Sequence, residues 1–244
     1  MKKKIFPLIA VVALLLFLTL ALTINLTAAN APREPARIQK TIVLNFDDGP
    51  RPKMLEELLP LLKKHKVPAA FFVIGATTKQ NQEWLKKIHK AGYKIENHSW
   101  GHENFKKLFR EKGAAAVASS IRKCSDAIFR ITGRNPRFFR PPFWEINEEI
   151  EKIVAAEGYK AMKLNNPDIN TLDYDDFAKG QPPGILTERI KKIIREREKN
   201  GDFSHVLVFH ELPLTVMALE ILIPYFQTRN YEFISLETLY GEKK

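Results

Sequence analysis

From Thr41 onward, short apolar runs alternate with segments in which apolar residues return every three or four positions. The runs predict seven strands, at 41–46, 69–74, 93–97, 137–140, 160–164, 205–209 and 231–234. The segments of helical period predict helices over 53–65, 82–91, 114–132, 147–157, 186–199 and 216–229. Gly92, Gly133, Gly158 and Gly201 fall just past four of them, where a left-handed residue ends a helix at little cost. Such alternation argues a parallel sheet with right-handed crossovers. No dinucleotide-type glycine fingerprint follows the first strand. The expected fold is therefore α/β, a distorted, closed or nearly closed (β/α)7-type barrel, rather than an open doubly wound sheet.

Residues 1–31 follow another pattern: Met1-Lys2-Lys3-Lys4, an almost unbroken apolar run from Ile5 to Leu22, then Ala28-Ala29-Asn30-Ala31. Basic, apolar and small-residue regions in that order are the plan of a secretory signal. The run is also about long enough to span a bilayer. A cut after Ala31 would leave Pro32 as the next residue, which makes an uncleaved anchor a serious rival, with its lysines held in the cytoplasm. Either way the folded part is expected outside the cytoplasm, as a single domain over 40–244 behind a linker at 32–39.

The lone cysteine, Cys124, sits in an alanine-rich helical pattern and is read as a buried thiol, so the fold must stand on its core. Lysine and arginine number 39 against 28 acids, and without the three N-terminal lysines the surplus is eight. Much of it falls in the helix over 186–199, where interleaved acids and Ile190, Ile193 and Ile194 make a solvated amphipathic face. An exported basic protein points to an anionic envelope polymer or lipid head group, and away from nucleic acid.

Candidate chemistry lies at the strand ends. Asn45-Phe46-Asp47-Asp48-Gly49-Pro50 puts two adjacent carboxylates where a buried strand breaks. Like charges so placed require neutralisation, a cation or a metal. His98-Ser99-Trp100-Gly101-His102 follows the third strand, Arg140 ends the fourth and His210 the sixth. In a parallel barrel these ends share one rim, where active sites form. Taken singly, each motif is weak; together they predict a divalent-metal hydrolase.

These blocks resemble the polysaccharide deacetylases of carbohydrate-esterase family four, relatives of the nodulation chitooligosaccharide deacetylases. The likeness runs from Asn45 to His210 and includes Arg140-Pro141-Pro142-Phe143 with Asn147, and Leu207-Val208-Phe209-His210. It implies a metal held by Asp48, His98 and His102, zinc before cobalt, manganese or nickel. Asp47 would then be the base, paired with Arg140, His210 the general acid, and the Phe143 backbone N–H a donor to the oxyanion. The reaction implied is hydrolysis of N-acetyl groups on an amino-sugar polymer or oligosaccharide.

Three departures bear on detail. Trp144 stands where the family pattern has glycine, and Trp144 and Trp100 are each either sugar contacts or core indoles. The family's Asp-Trp block is degraded: Asp173-Tyr174 is the nearest match, with Asp168 the alternative partner for His210. The segment 165–184 reads as a long loop walling the substrate groove. Rival readings are hydrolysis of another amide, such as a lipid-linked formamido sugar or a cyclic imide, and a silent polysaccharide-binding barrel.

Overall fold

The computed structural model describes residues 38–165 and 167–241. The apolar N-terminal run and most of the expected linker lie outside the described residues. Among those described, no helix is long and apolar enough to cross a membrane.

Strands and helices alternate along most of the chain. They are β1 (Lys40–Gly49), α1 (Pro52–His65), β2 (Ala69–Val73), α2 (Gln82–Lys90), β3 (Lys94–Asn97), α3 (Phe105–Thr132), β4 (Phe138–Phe139) and α4 (Glu148–Ala156). There follow β5 (Lys160–Ala161), β6 (Asp168–Asn170), α5 (Asp173–Ala178), α6 (Pro183–Lys199), β7 (Ser204–His210), α7 (Pro213–Thr228), β8 (Tyr231–Phe233) and α8 (Leu236–Leu239). The sheet order is β5-β4-β3-β2-β1-β7-β6, and β8 pairs with the first residues of β1. Every pairing is parallel. Among the described residues β5 and β6 do not pair, so the (β/α)7-type barrel is curled but open between them.

The twofold period of β1 decides which residues face inward. Ile42, Leu44 and Phe46 join Phe71, Val73, Leu207 and Phe209 under the helices. Val43 joins Ala70, Phe72, Val206 and Val208 on the inner face of the curl. Asn45 and Asp47 share parity with Val43, so the strand that anchors the core also carries polar groups into the barrel. Burying each large apolar side chain contributes on the order of 2 kcal/mol, and that packing holds the polar groups in place.

The structure revises the sequence boundaries at three points. β1 runs on through Asp47 and Asp48 to Gly49, because β7 pairs with it as far as Asp47↔His210. α3 begins at Phe105, not 114, with Asn104 capping the Lys107 N–H and a non-helical break at Gly113 (φ 75°, ψ −178°). The expected loop 165–184 contains β6 and α5 and the first turn of α6. The four glycines past helix ends all have positive φ, between 71° and 88°, and Cys124 is buried.

Candidate active site

Asp47 and Asp48 separate because the backbone turns left-handed between them. Asp48 has φ 65°, a conformation aspartate tolerates better than most residues, and the β1–β2 register shifts between Phe46 and Gly49. Asp47 stays on the inner face while Asp48 swings to the rim. Of the eight non-glycine residues with positive φ among the described residues, six belong to the rim: Asp48, Ser99, His102, Phe143, Trp144 and Leu172. Strain of this kind persists only where surrounding contacts impose it.

The loop after β3 is built from its own side chains. Ser99 N–H donates to Asn97 Oδ1 at 2.8 Å, and His102 N–H to Ser99 Oγ at 2.9 Å. This brings His98 Nε2 to 3.3 Å and His102 Nε2 to 3.0 Å from Asp48 Oδ1. His98 Nδ1 lies 2.8 Å from the Arg140 carbonyl, which can only accept. The proton is therefore on Nδ1, and Nε2 offers a lone pair. Asp48 Oδ1 is buried and has no hydrogen-bond partner among the described residues. Burial alone would raise the Asp48 carboxyl pKa, but the adjacent imidazoles, His102 before His98, hold it well below the usual carboxylate range. One ligand atom from each of the three residues lies within 4.8 Å of the others. Two imidazoles and a carboxylate converging on one point, with an orphaned oxygen among them, fit a divalent cation.

Beneath this triad, Arg140 is fully buried and its Nη1 donates to Asp47 Oδ1 at 2.6 Å. Asn45 accepts from Arg140 Nη2 at 2.9 Å and donates to the Leu44 carbonyl at 3.0 Å. Opposite, His210 ends β7. Its Nδ1 and backbone N–H both meet the Asp173 carboxylate, at 2.8 and 2.7 Å. Thr215 Oγ1 donates to the same carboxylate at 2.6 Å, and Tyr174 N–H at 2.9 Å. Burial lowers the His210 pKa, but the bond to Asp173 and the charges of Asp173, Asp47 and Asp48 outweigh it, and the net shift is upward. Its Nε2 lies 3.9 Å from Asp48 Oδ2. Asp47, the triad and His210 open on one cavity of about 330 Å³, walled further by Phe143, Trp144 and Tyr174.

The family model described as polysaccharide deacetylase matches residues 35–162, just over half of the sequence. The chain belongs to the polysaccharide deacetylase family. It is 30% identical over 220 residues to the peptidoglycan-N-acetylglucosamine deacetylase PgdA of Listeria monocytogenes, covering 89% of this chain and 42% of that protein. It thus spans less than half the length of that relative. The structure of the peptidoglycan deacetylase PdaC from Bacillus subtilis superposes with a TM-score of 0.68 at 26% identity, covering 84% of this chain and 91% of that one. A mutant of BA3943, described as a CE4 family pseudoenzyme with restored enzymatic activity, superposes with a TM-score of 0.72 at 26% identity, over 85% of this chain and 70% of that one.

Against the family pattern, Asp173 and not Asp168 meets His210. Asp168 lies on β6, buried, with both oxygens unpartnered among the described residues and its carboxyl pushed up to about 6 by burial, the charge of Arg140 opposing. Trp144 lines the cavity, whereas Trp100 does not: its ring packs against Gly75 and faces a separate groove with Gln82 and Arg130. Asn147 caps α4 by accepting from Ile150 N–H at 3.0 Å. Sequence reasoning missed Glu211. Its buried carboxyl accepts from Arg51 N–H at 2.5 Å and lies so close to Gly49 that a Cβ there would sit 1.9 Å from Oε1. Burial pushes the Glu211 pKa up to about 8, so it is largely protonated at neutral pH as it ties the Asp47-Asp48 turn to the end of β7. No local signal marks it; only the β1–β7 register does.

Proposed function

We propose that the domain hydrolyses N-acetyl groups of amino sugars in a cell-envelope polysaccharide, peptidoglycan foremost, outside the cytoplasm, with zinc as the resident ion. The observation that carries this is the placement of an Arg140-paired carboxylate and an Asp173-held imidazole across one cavity, with the Asp48, His98 and His102 cluster between them. The names of the relatives support peptidoglycan as substrate and an envelope location. A silent binding barrel has no use for both a held base and a held acid.

A divalent cation on Asp48, His98 and His102 would supply a Lewis acid for the acetyl carbonyl and lower the pKa of water. Asp47 takes a proton from the attacking water, and Arg140, hydrogen-bonded to it, keeps it aimed. As water oxygen bonds to the acetyl carbon, the Phe143 N–H, which makes no hydrogen bond among the described residues, donates to the oxyanion. His210 protonates the amide nitrogen, the C–N bond breaks, and acetate and a free amine leave. The upward pKa shift of His210 keeps that proton available near neutral pH.

The test is acetate release by metal-loaded protein from acetylated peptidoglycan, chitooligosaccharides and poly-N-acetylglucosamine. His102→Ala is expected to cut bound metal and activity together. No acetate from any of the three with metal bound would overturn the proposal, and unchanged metal content in the variant would remove His102 from the ligand set.

A further inference from the structure

Trp144 occupies a position its own backbone disfavours. Phe143 and Trp144 both have φ 58°, and left-handed geometry is disfavoured for a bulky residue. A glycine would adopt it freely. Something must therefore hold the indole, and two contacts do. Its ring packs on the inner-face cluster that includes Val43, Phe72 and Val208. It also receives the Arg140 guanidinium, whose central carbon lies 5.2 Å from the Trp144 ring and 3.9 Å from that of Phe72.

That guanidinium is fully buried, and its Nε–H has no hydrogen-bond acceptor among the described residues. Hydrogen bonds fix Nη1 on Asp47 and Nη2 on Asn45, but nothing polar fixes the Nε edge. Aromatic faces are suited to hold a cation there, since the ring quadrupole attracts it and the ring body excludes water that would compete for Asp47.

We propose that Trp144 is a positioning residue which, with Phe72, clamps the Arg140 guanidinium and so fixes the Asp47 carboxylate in the cavity. It acts through Arg140 and touches no reacting atom. The proposal rests on the reading of Asp47 as base only for its kinetic consequence; the clamp itself is a property of the resting protein.

Two measurements on the full chain separate these. In metal-free protein, the Arg140 Nε–H is expected to exchange slowly with solvent by NMR, at least ten-fold faster in Trp144→Gly, and close to wild type in Trp144→Phe. Glycine suits the backbone at this position and phenylalanine retains an aromatic face, so at least one variant tests the clamp in a folded protein. In metal-loaded protein, Trp144→Gly is expected to lower kcat about ten-fold with KM and metal content unchanged, as loss of one cation–π contact implies, and Trp144→Phe to restore most of it. Unchanged Arg140 exchange in Trp144→Gly overturns the clamp whatever the activity. Faster exchange in a protein whose wild type releases no acetate supports the clamp and sinks the proposed function instead. Faster exchange with kcat unaltered breaks the link from the clamp to Asp47.

Discussion

The Asp47–Arg140 pair is the most consequential contact of the site, and its energetics can be tested without substrate. Arg140 Nη1 and Asp47 Oδ1 are 2.6 Å apart, with side-chain exposures of 0% and 6%. Water can therefore replace either partner only in small part. Removing one member of such a pair leaves an uncompensated buried charge and costs about 3–5 kcal/mol, whereas removing both charges together costs far less. Arg140→Met keeps the length of the side chain and deletes the charge, so it is expected to destabilise the metal-free protein by about 3–5 kcal/mol. Adding Asp47→Asn to Arg140→Met removes the orphaned carboxylate and is expected to recover about 2 kcal/mol or more, a coupling well beyond the few tenths seen for independent sites. The assay is urea unfolding of wild type, both single variants and the double variant, with chelator present, at one pH. If the loss in the double variant equals the sum of the losses in the singles, the pair is not coupled. If Arg140→Met falls within about 1 kcal/mol of wild type, the charge was never buried against Asp47 as described.

Two predictions concern pH. Burial lowers the His210 pKa, but its bond to Asp173 and the surrounding carboxylates raise it above its ordinary value, and in the proposed mechanism protonated His210 is the form that releases the amine. Asp173→Asn is therefore expected to move the alkaline limb of kcat to lower pH; an unmoved limb would separate Asp173 from His210. Glu96 lies inside the barrel with Oε2 accepting Arg137 N–H at 2.7 Å and Phe138 N–H at 2.8 Å. Burial above all, then the charge of Glu237, pushes it from an ordinary 4.5 up to about 8, against the two N–H bonds and Lys94. Between those values the folded protein holds a proton that the unfolded chain has lost, so the Glu96 contribution to stability declines as pH rises from about 4.5 to 8. Glu96→Gln keeps an acceptor for both N–H groups and cannot ionise, so its stability relative to wild type should grow across that window. Parallel unfolding curves for the two proteins from pH 5 to pH 9 would refute the assignment.

Legibility in the sequence followed strand length and register. β1 and β7 are long, apolar and of clear period, so the rim positions of Asp47, Asp48 and His210 could be read from them, and the His98–His102 spacing carried the second cluster. β6 has three residues and α5 six, too short for either period to show, and the segment between Asn165 and Gly184 passed for a loop. Asp173 stood ahead of Asp168 only by its likeness to the family's Asp-Trp block, because the physical choice is made by Thr215 Oγ1 and the His210 backbone N–H, which meet Asp173 only after α7 and β7 have packed. Asn45 and Glu211 were illegible for a similar reason: each acts across the sheet, on Arg140 and on the Arg51 N–H respectively, and neither differs locally from a turn residue.

Arg140 shows why the rim was readable and its coupling was not. The arginine at the end of a strand identifies a cation near the carboxylates, but its backbone does a second task. The Arg140 carbonyl accepts from His98 Nδ1 while its guanidinium holds Asp47, so one residue sets both the tautomer of an imidazole facing Asp48 and the position of the Asp47 carboxylate. Its position is fixed in turn by β3, through the Arg140 N–H to the Asn97 carbonyl at 3.0 Å. A substitution at 140 therefore disturbs mainly the side-chain half of this arrangement, leaving the His98 tautomer in place provided β4 keeps its register. Metal content in Arg140→Met should stay near wild type while turnover collapses. Loss of metal alongside activity would mean that the guanidinium, and not the carbonyl, organises the His98 side of the site.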